Sequence, residues 1–348
     1  MRFELQPGES AGTGLRRVAR GLMDETLAQL DDPARPRETM VHEARKSMKK
    51  LRGLLRLVRP AAPQLYRTEN AALRDAAAEL SALRDADVAV ETFDRVIATA
   101  QAAEAPRTGA GTAPVGLDGA GAESAAALHD GPDPPALDTL AWAPLRARLA
   151  AWRAEAQAAD GQPEARSQAF REQLVAARER AADWCLPPVD DEASAFAVFG
   201  RGLKKTYKRG RKAMARAYAQ PGVAAFHDWR KRTKYLGYHL RLLRPAWPDL
   251  LRAQRTAVKA LSDRLGDDHD LAVLDELLVE LRDEEASVAR RHAEAGLRAE
   301  LRRQSAMLRE QAEGLGRYVY AERPKAFRRR IGVYWHQAEA GAQSEERP

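Results

Sequence analysis

One segment of this 348-residue sequence occurs twice, 185 positions apart, and this repeat limits the possible folds more than any other feature. Residues 42–60 align with residues 227–245, and ten of the nineteen positions are identical. A similar helical composition alone would not keep a histidine, an arginine, two lysines and a final Arg-Pro pair in register. Flanking segments agree in the same order, with 20–22 over 201–203 and 83–88 over 265–271. The two halves are therefore copies of one structural unit.

The composition favours helices. Hydrophobic residues make up 45% of the chain and charged residues 31%, and the two kinds are interspersed instead of forming short β-branched runs. Alanine, leucine, arginine and glutamate, all strong helix formers, are abundant. Proline-containing breaks leave short links, which is the pattern of antiparallel bundles. We predict an all-α fold of two pseudo-symmetric four-helix bundles, one from each copy of the repeat, packed about a pseudo-twofold axis.

The repeat also sets the expected domain boundaries. The first four-helix unit is predicted over residues 10–103 and the second over 191–335, with connecting helices over 139–190. Between them, residues 104–138 are rich in alanine, glycine, proline and threonine. Such a segment buries too little apolar surface to offset its ordering entropy, so we expect a flexible insertion. In the second half the periodicity predicts separate helices over about 249–265 and 271–291, and residues 336–348 are predicted to be a disordered tail.

The repeated segment carries a basic stripe. In the first copy His42, Arg45, Lys46 and Lys49 stand at i, i+3, i+4 and i+7, so they share one helix face. Further residues extend this stripe to about 21 Å at 1.5 Å per residue, namely Arg52 and Arg56. The stripe of the second copy consists of His227, Arg230, Lys231, Lys234 and Arg241. Few acids are interleaved with these residues, which suggests that the countercharge comes from a bound partner.

A third basic run precedes the second copy of the stripe. Its members on one helix face are Arg201, Lys204, Lys205, Lys208 and Lys212. The first half answers only in part, with Arg20, because Asp24 stands where the second half has Lys205 and Glu25 follows it. We therefore expect a lopsided binding surface that is stronger on the second half.

The kind of partner follows from the residue types. Lysine and arginine both suit phosphate oxygens, arginine as a bidentate donor and lysine as a point charge. The net charge of +7 adds little, because 57 basic and 50 acidic residues can simply coat a soluble helical protein. Aromatic residues, which single-stranded nucleic acid would require for stacking, are scarce along the stripes. A linear phosphate chain without bases fits this pattern better, and a merely solvated basic face is the alternative.

The histidines and aspartates leave more than one interpretation open. His42 and His227 are either cations that a phosphate neighbour would charge at mildly acidic pH, or residues that fix the helix start by a hydrogen bond. Acidic clusters at Asp85/Asp87 and Asp267/Asp268/Asp270 fit hard cations. Both clusters fall where helices are predicted to begin, so capping, or pairing with the basic stripe, is the preferred interpretation.

Motifs for catalysis or cofactor binding are missing from the sequence. It has no glycine-rich phosphate loop, no Ser/His/Asp set and no spaced His/Cys pattern, so we predict no catalytic residue, no metal and no cofactor. The single cysteine, Cys185, excludes an internal disulfide and is expected to fill core space. Apolar stretches stay well below the roughly 20 residues of a membrane span, and the start lacks a signal-like apolar region. We expect a cytoplasmic protein without membrane contacts.

The sequence resembles the CHAD domain, the conserved histidine α-helical domain. The resemblance rests on the repeated His-x-x-Arg-Lys-x-x-Lys-x-Leu pattern, each copy followed by Leu-x-x-x-Arg-Asp-x-Asp or Leu-Gly-Asp, and covers about residues 10–335 apart from the insertion. It implies two four-helix bundles around a basic central channel that binds inorganic polyphosphate, and association with polyphosphate granules. Members are often fused to a CYTH triphosphatase domain, whose alternating Glu-x-Glu-x-Lys strand is absent from this sequence.

By position, the resemblance assigns a set of residues to that channel. These are His42, Arg45, Lys46, Lys49, Arg56, His227, Arg230, Lys231, Lys234 and Arg241, with Arg20, Arg201, Lys204, Lys205 and Lys208 beside them. The resulting hypothesis is a non-enzymatic protein that binds polyphosphate. The alternatives are a metal-assisted enzyme that processes polyphosphate or triphosphate, and a module for nucleic acid, without sequence specificity, or for acidic proteins.

Overall fold

A computed structural model describes residues 2–80, 84–104, 139–158, 163–187, 194–281 and 287–345. These residues form α-helices joined by short links and 3-10 turns, and no strand occurs among them. The all-α prediction is confirmed. The helices are α1 (Ala11–Leu30), α2 (Arg37–Val58), α3 (Pro63–Glu79), α4 (Arg84–Glu104), α5 (Ala143–Ala158), α6 (Pro163–Arg180), α7 (Phe196–Ala219), α8 (Val223–Leu242), α9 (Pro248–Glu280), α10 (Val288–Val319) and α11 (Pro324–Glu345).

Helix boundaries follow local chemistry that is readable in the sequence. The Ser10 hydroxyl caps α1 by accepting a hydrogen bond from the Thr13 amide at 3.2 Å. Several other helices begin at or directly after a proline, because the first turn does not need the missing N–H group. None of the described helices is both long and apolar enough to cross a membrane. The predicted flexible insertion, apart from its first residue, lies outside the described residues.

Two hydrophobic cores stabilise the described helices. The larger core joins α1, α2, α3, α6, α7, α8, α11 and the first half of α9. The smaller core joins α4 and α5 to the C-terminal half of α9 and the N-terminal half of α10. Helix α4 therefore packs against helices of the second half, whereas α6 packs against α1 and α3. The grouping of residues 10–103 into one four-helix unit stays a prediction, and the packing of α4 qualifies it.

Three sequence expectations are wrong. The helices predicted over 249–265 and 271–291 are the single helix α9 up to Glu280, because Gly266 keeps helical geometry and no proline interrupts the chain there. The tail predicted to be disordered from 336 onwards continues α11 to Glu345, since Trp335 is buried and donates to Glu339. Cys185, expected to fill core space, is exposed.

The repeated helices α2 and α8 cross each other at a glycine. Gly53 packs against Tyr238, and the Gly53 carbonyl accepts a hydrogen bond from Nε2 of buried His239 at 3.0 Å. Gly53 and Tyr238 are related by the 185-residue shift, so the contact joins equivalent sequence positions of the two copies. Helix α7 crosses α2 nearby, where a Cβ on Gly202 would lie 1.8 Å from the Leu57 carbonyl oxygen. The basic residues of α2, α7 and α8 are thereby brought into one region.

Candidate functional site

The N-terminal part of the α2 stripe is exposed but not free of acids. Glu43 lies between two stripe residues, with its Oε1 3.0 Å from Lys46 Nζ and 3.9 Å from His42 Nε2. The hydrogen bond from Lys46 lowers the pKa of the Glu43 carboxyl below its ordinary value. The sequence suggested that the countercharge of the stripe comes from a bound partner. Part of that countercharge is instead supplied by Glu43 on the same helix.

Arg45 has a structural contact. Its Nη1 donates a hydrogen bond to the carbonyl oxygen of Leu80 at 2.8 Å, and Leu80 is the C-cap residue directly after α3. Carbonyls at a helix C-terminus lack intrahelical donors, so a guanidinium placed there satisfies one of them. Arg45 fixes the end of α3 against α2, a task that the stripe pattern alone did not indicate.

Further along α2 the arginines are held in fixed orientations. The side-chain oxygen of Asn70 on α3 accepts from Arg52 Nε at 3.2 Å and from Arg56 Nη1 at 3.1 Å. The Arg56 guanidinium also lies 3.9 Å from the centre of the Tyr235 ring on α8. Burial lowers the pKa of Arg56, and the positive charges of Arg52 and Arg232 lower it further. Like charges from two helices therefore lie within electrostatic range of each other.

Helix α7 adds its basic run to the same region. Partial burial lowers the pKa of Lys205, and the neighbouring cations Arg59 and Arg209 lower it further. For Arg209 the causes are burial and then the charges of Arg59 and Arg232. Among the other predicted residues of α7, Lys204 is half-buried, and Arg201, Lys208 and Lys212 are exposed.

Three cations of this region were not among the predicted site residues. Arg59 directly follows α2, whereas Arg209 lies on α7 and Arg232 on α8. The charges of these three residues contribute to the lowered pKa values described above. A signal existed for two of them. Arg59 belongs to the Arg-Pro pair that the repeat conserves between its copies, and Arg209 lies inside the basic run of α7.

The start of α8 differs from the start of α2. His227 is half-buried, with its ring centre 4.2 Å from that of His269 on α9. Burial, the neighbouring His269 and the cations Lys231 and Arg230 lower the pKa of His227 to about 4. Without a bound anion His227 is therefore neutral at physiological and mildly acidic pH, and its charging by a phosphate neighbour stays a prediction. On the same helix Lys231 is exposed and Lys234 is half-buried.

A smaller basic group surrounds Arg241. Arg241 lines a small pocket of about 40 Å³ together with Arg2, Phe3, Val18, Leu22, Glu25 and Lys50. Burial lowers the pKa of Lys50, and the charges of Arg241 and Lys46 lower it further. The pair of Arg241 with Lys50 is the 185-residue equivalent of the pair of Arg56 with Tyr235. Arg20, on α1, is half-buried.

The aspartates around position 268 make ion pairs inside the fold. Asp268 is buried and accepts from Arg309 Nε at 2.9 Å and from the Ser305 hydroxyl. Asp267 and Asp270 lie 3.3 and 3.9 Å from the guanidinium of Arg95 on α4. Because these aspartates lie inside α9, the prediction that they cap a helix start is wrong for this copy.

In the described part of the chain, no group of three or more histidines, cysteines or acidic residues is placed to hold a metal ion. The side chains of Asp85 and Asp87 lie outside the described residues, so the capping and metal interpretations of that copy stay predictions.

These features define an all-helical protein built on two copies of a His-x-x-Arg-Lys-x-x-Lys helix, with basic residues gathered where the copies cross. The chain belongs to the CHAD domain family, since the family model matches residues 17–279. The crystal structure of the CHAD domain from the plant Ricinus communis is similar, with a TM-score of 0.56, 20% identity, and coverage of 92% of this chain and 93% of that chain. At this identity the likeness shows the common fold alone. A comparison with curated proteins found no match.

Proposed function

We propose that this protein binds inorganic polyphosphate through the basic residues of α2, α7 and α8 and does not act as an enzyme. The proposal is supported above all by cations from α2, α7 and α8 that lie within electrostatic range of one another. Burial lowers the pKa values of Arg56, Lys205 and Arg209, and the charges of neighbouring cations, among them Arg59 and Arg232, lower them further. Like charges held together raise the free energy of the folded protein, and a bound polyanion relieves that cost. In a cell we expect the protein at polyphosphate granules.

Phosphate chains fit this surface better than nucleic acids do, because its aromatic rings are already covered. The Arg56 guanidinium lies over the Tyr235 ring, and the Arg59 guanidinium lies 4.6 Å from the centre of the Tyr66 ring. Nucleic-acid bases would need open rings on which to stack. A chain of phosphoryl groups needs only the cationic donors.

The enzymatic alternative receives less support from the aspartates. The carboxylates at 267, 268 and 270 pair with Arg95 and Arg309, which is a structural arrangement. Hydrolysis of a phosphate chain would require carboxylates free to hold a divalent metal. Incubation of the protein with polyphosphate and Mg²⁺ should therefore release no phosphate, and a steady release would contradict the non-enzymatic part of the proposal.

The test of binding is a charge reversal with a matched control. The test variant changes Lys46, Lys49, Lys231 and Lys234 to glutamate. The control makes four reversals at exposed positions outside the three basic helices, namely Arg252, Lys259, Arg317 and Lys325. Long-chain polyphosphate is titrated into both variants and the parent at several salt concentrations, and thermal melting checks that each variant is folded.

The net charge of the two variants is equal, so a general charge effect would act on both. We expect the test variant to lose binding and the control to retain most of it. The parent's affinity should fall steeply with salt, because phosphate contacts release counterions. Equal losses in both variants would show that no specific basic surface exists. Duplex DNA as competitor ranks the nucleic-acid alternative, and its displacement of polyphosphate at physiological salt would favour that class.

A further inference from the structure

Five cations meet where α2, α7 and α8 come together, and they form a compact group that shares only Arg56 with the extended stripes of α2 and α8. The group, called here the five-cation cluster, consists of Arg56, Arg59, Lys205, Arg209 and Arg232. Its members lie within electrostatic range of one another. The charges of Arg59 and Arg209 contribute to the lowered pKa of Lys205, and those of Arg59 and Arg232 contribute to the lowered pKa of Arg209. Arg232 also acts on Arg56.

The negative charge inside the cluster is small. Asp228 pairs with Arg232, its Oδ1 accepting from Arg232 Nη2 at 2.7 Å. Within the described ranges, Arg59, Lys205 and Arg209 have neither a carboxylate partner in an ion pair nor a hydrogen-bond acceptor. Lys205 and Arg209 are exposed, so a ligand can reach them from solvent.

Aromatic rings and an amide hold two of the arginines in place. Tyr66 contacts both, with its ring centre 4.6 Å from the Arg59 guanidinium and 5.6 Å from that of Arg56. Asn70 and Tyr235 fix Arg56 further. Guanidinium groups that are fixed before binding lose less side-chain entropy when they bind an anion.

The positions that the repeat relates to those of the cluster do not form a second such cluster. The 185-residue shift takes Arg59 to Arg244, which is ion-paired with buried Glu4. On the helix that precedes each stripe, the first half has Asp24 in the place of Lys205, and Asp24 pairs with Arg178. The cluster therefore exists once in the described part of the chain.

We propose that the five-cation cluster is an anchoring subsite for a short run of adjacent phosphoryl groups. This inference rests on the proposed function. Two or three linked phosphoryl groups place several charges close together and match a compact cluster, whereas the stripes extend over about 21 Å and bind a longer chain. Inorganic tripolyphosphate therefore binds the protein with a stoichiometry of one per chain and competes with long polyphosphate.

The test compares tripolyphosphate and long-chain polyphosphate on the parent protein and on two double variants of equal charge. One variant, Arg59→Gln with Arg209→Gln, removes the cluster. The other, Lys49→Gln with Lys234→Gln, thins the stripes. The single variant Lys205→Gln, at an exposed position, guards against a folding defect in the first, and thermal melting accompanies every titration.

We expect the cluster variant to lose about tenfold or more of its affinity for tripolyphosphate, because two charged donors are removed, and Lys205→Gln to lose affinity in the same direction. The stripe variant should keep its tripolyphosphate affinity within about twofold and lose affinity for the long chain. The inference is overturned if tripolyphosphate fails to bind while long chains bind, or if both double variants weaken tripolyphosphate equally. If the parent protein binds neither ligand, the proposed function itself fails.

Discussion

Helices α1 and α7 occupy the same place in the two copies of the repeat but differ in their charges. The shift of 181 positions that aligns Arg20 with Arg201 sets Asp24 against Lys205 and Asp31 against Lys212. Both aspartates pair with arginines of α6, Asp31 accepting from Arg171 Nε at 2.9 Å and Asp24 from Arg178. Helix α7 keeps Lys205, Lys208 and Lys212 exposed. On the helix that precedes each stripe, the first half thus has aspartates that are paired within the fold, whereas the second half has lysines that are open to solvent.

The two halves also differ in how their helices cross. The Leu57 carbonyl of α2 faces Gly202 of α7 at very close range. Its equivalent, the Leu242 carbonyl of α8, accepts a hydrogen bond at 2.8 Å from the backbone of Leu5 in the N-terminal segment. In the other half the carbonyl that corresponds to Leu57 is therefore bound by the N-terminal segment through a backbone hydrogen bond. Four predictions test these differences, beginning with the largest effect.

The substitution Gly202→Val should abolish the native packing of α7 on α2. A Cβ at this position would overlap the Leu57 carbonyl, and backbone cannot move aside as a side chain can. We expect a loss of about 3 kcal/mol or more in the free energy of unfolding, measured by urea denaturation. Gly53→Ala is the control, because its Cβ would meet only the Tyr238 side chain at 3.0 Å. Equal losses in both variants would show that α2 and α7 do not pack more tightly at Gly202 than α2 and α8 do at Gly53.

The double substitution Lys205→Asp with Lys212→Asp gives α7 the charges of α1. We expect affinity for polyphosphate to fall on the order of a hundredfold at low salt, since four units of charge change at the open half. The reciprocal variant, Asp24→Lys with Asp31→Lys, leaves Arg171 and Arg178 without their partners and should raise affinity. Titrations of both variants with long-chain polyphosphate provide the measurement. If the α7 variant binds like the parent, the lopsided surface is wrong.

His239 tests a buried difference between the copies, because its equivalent in α2 is Leu54. Complete burial, and further the charge of Arg56, lower the pKa of His239 to about 4 from an ordinary value of 6.5. Between these values the unfolded chain takes up the proton and the folded chain does not, so stability falls as the pH falls. At pH 5 this difference in proton uptake lowers the free energy of unfolding by roughly 2 kcal/mol relative to neutral pH.

The variant His239→Leu should lose this part of the pH dependence. At pH 7.5 it should be less stable than the parent by about 1 kcal/mol, because the hydrogen bond to Gly53 is lost. At pH 5 the variant should be the more stable of the two. Urea denaturation at both pH values supplies the comparison. Parallel losses of stability in parent and variant would show that His239 does not titrate in this way.

Much of the fold was predictable from the sequence, because helix ends depend on local signals. Helix α2 begins directly after Pro36 and ends before the Arg59-Pro60 pair, and α8 begins after Pro221-Gly222 and ends before the Arg244-Pro245 pair, so the prolines mark both helices. The continuity of α9 was not predictable, since its aspartates are satisfied by Arg95 and Arg309 from helices distant in sequence. The stripe pattern likewise located the basic residues but not their contacts. Periodicity tells which side chains share a face, whereas tertiary packing decides which of them, such as Arg45, have partners in the fold.

Arg45 and Lys49 provide the smallest but sharpest test of the α2 stripe, because both belong to it and they differ in exposure: Arg45 is half-buried and Lys49 is exposed. The substitution Arg45→Gln removes the hydrogen bond to the carbonyl of Leu80. We expect a loss of about 1 kcal/mol in the free energy of unfolding and a change of less than about twofold in polyphosphate affinity. Lys49→Gln, at an exposed position, should do the opposite and weaken binding while leaving stability nearly unchanged. Melting curves and titrations on the two variants separate the roles, and a larger binding defect for Arg45→Gln would assign Arg45 to the ligand and not to α3.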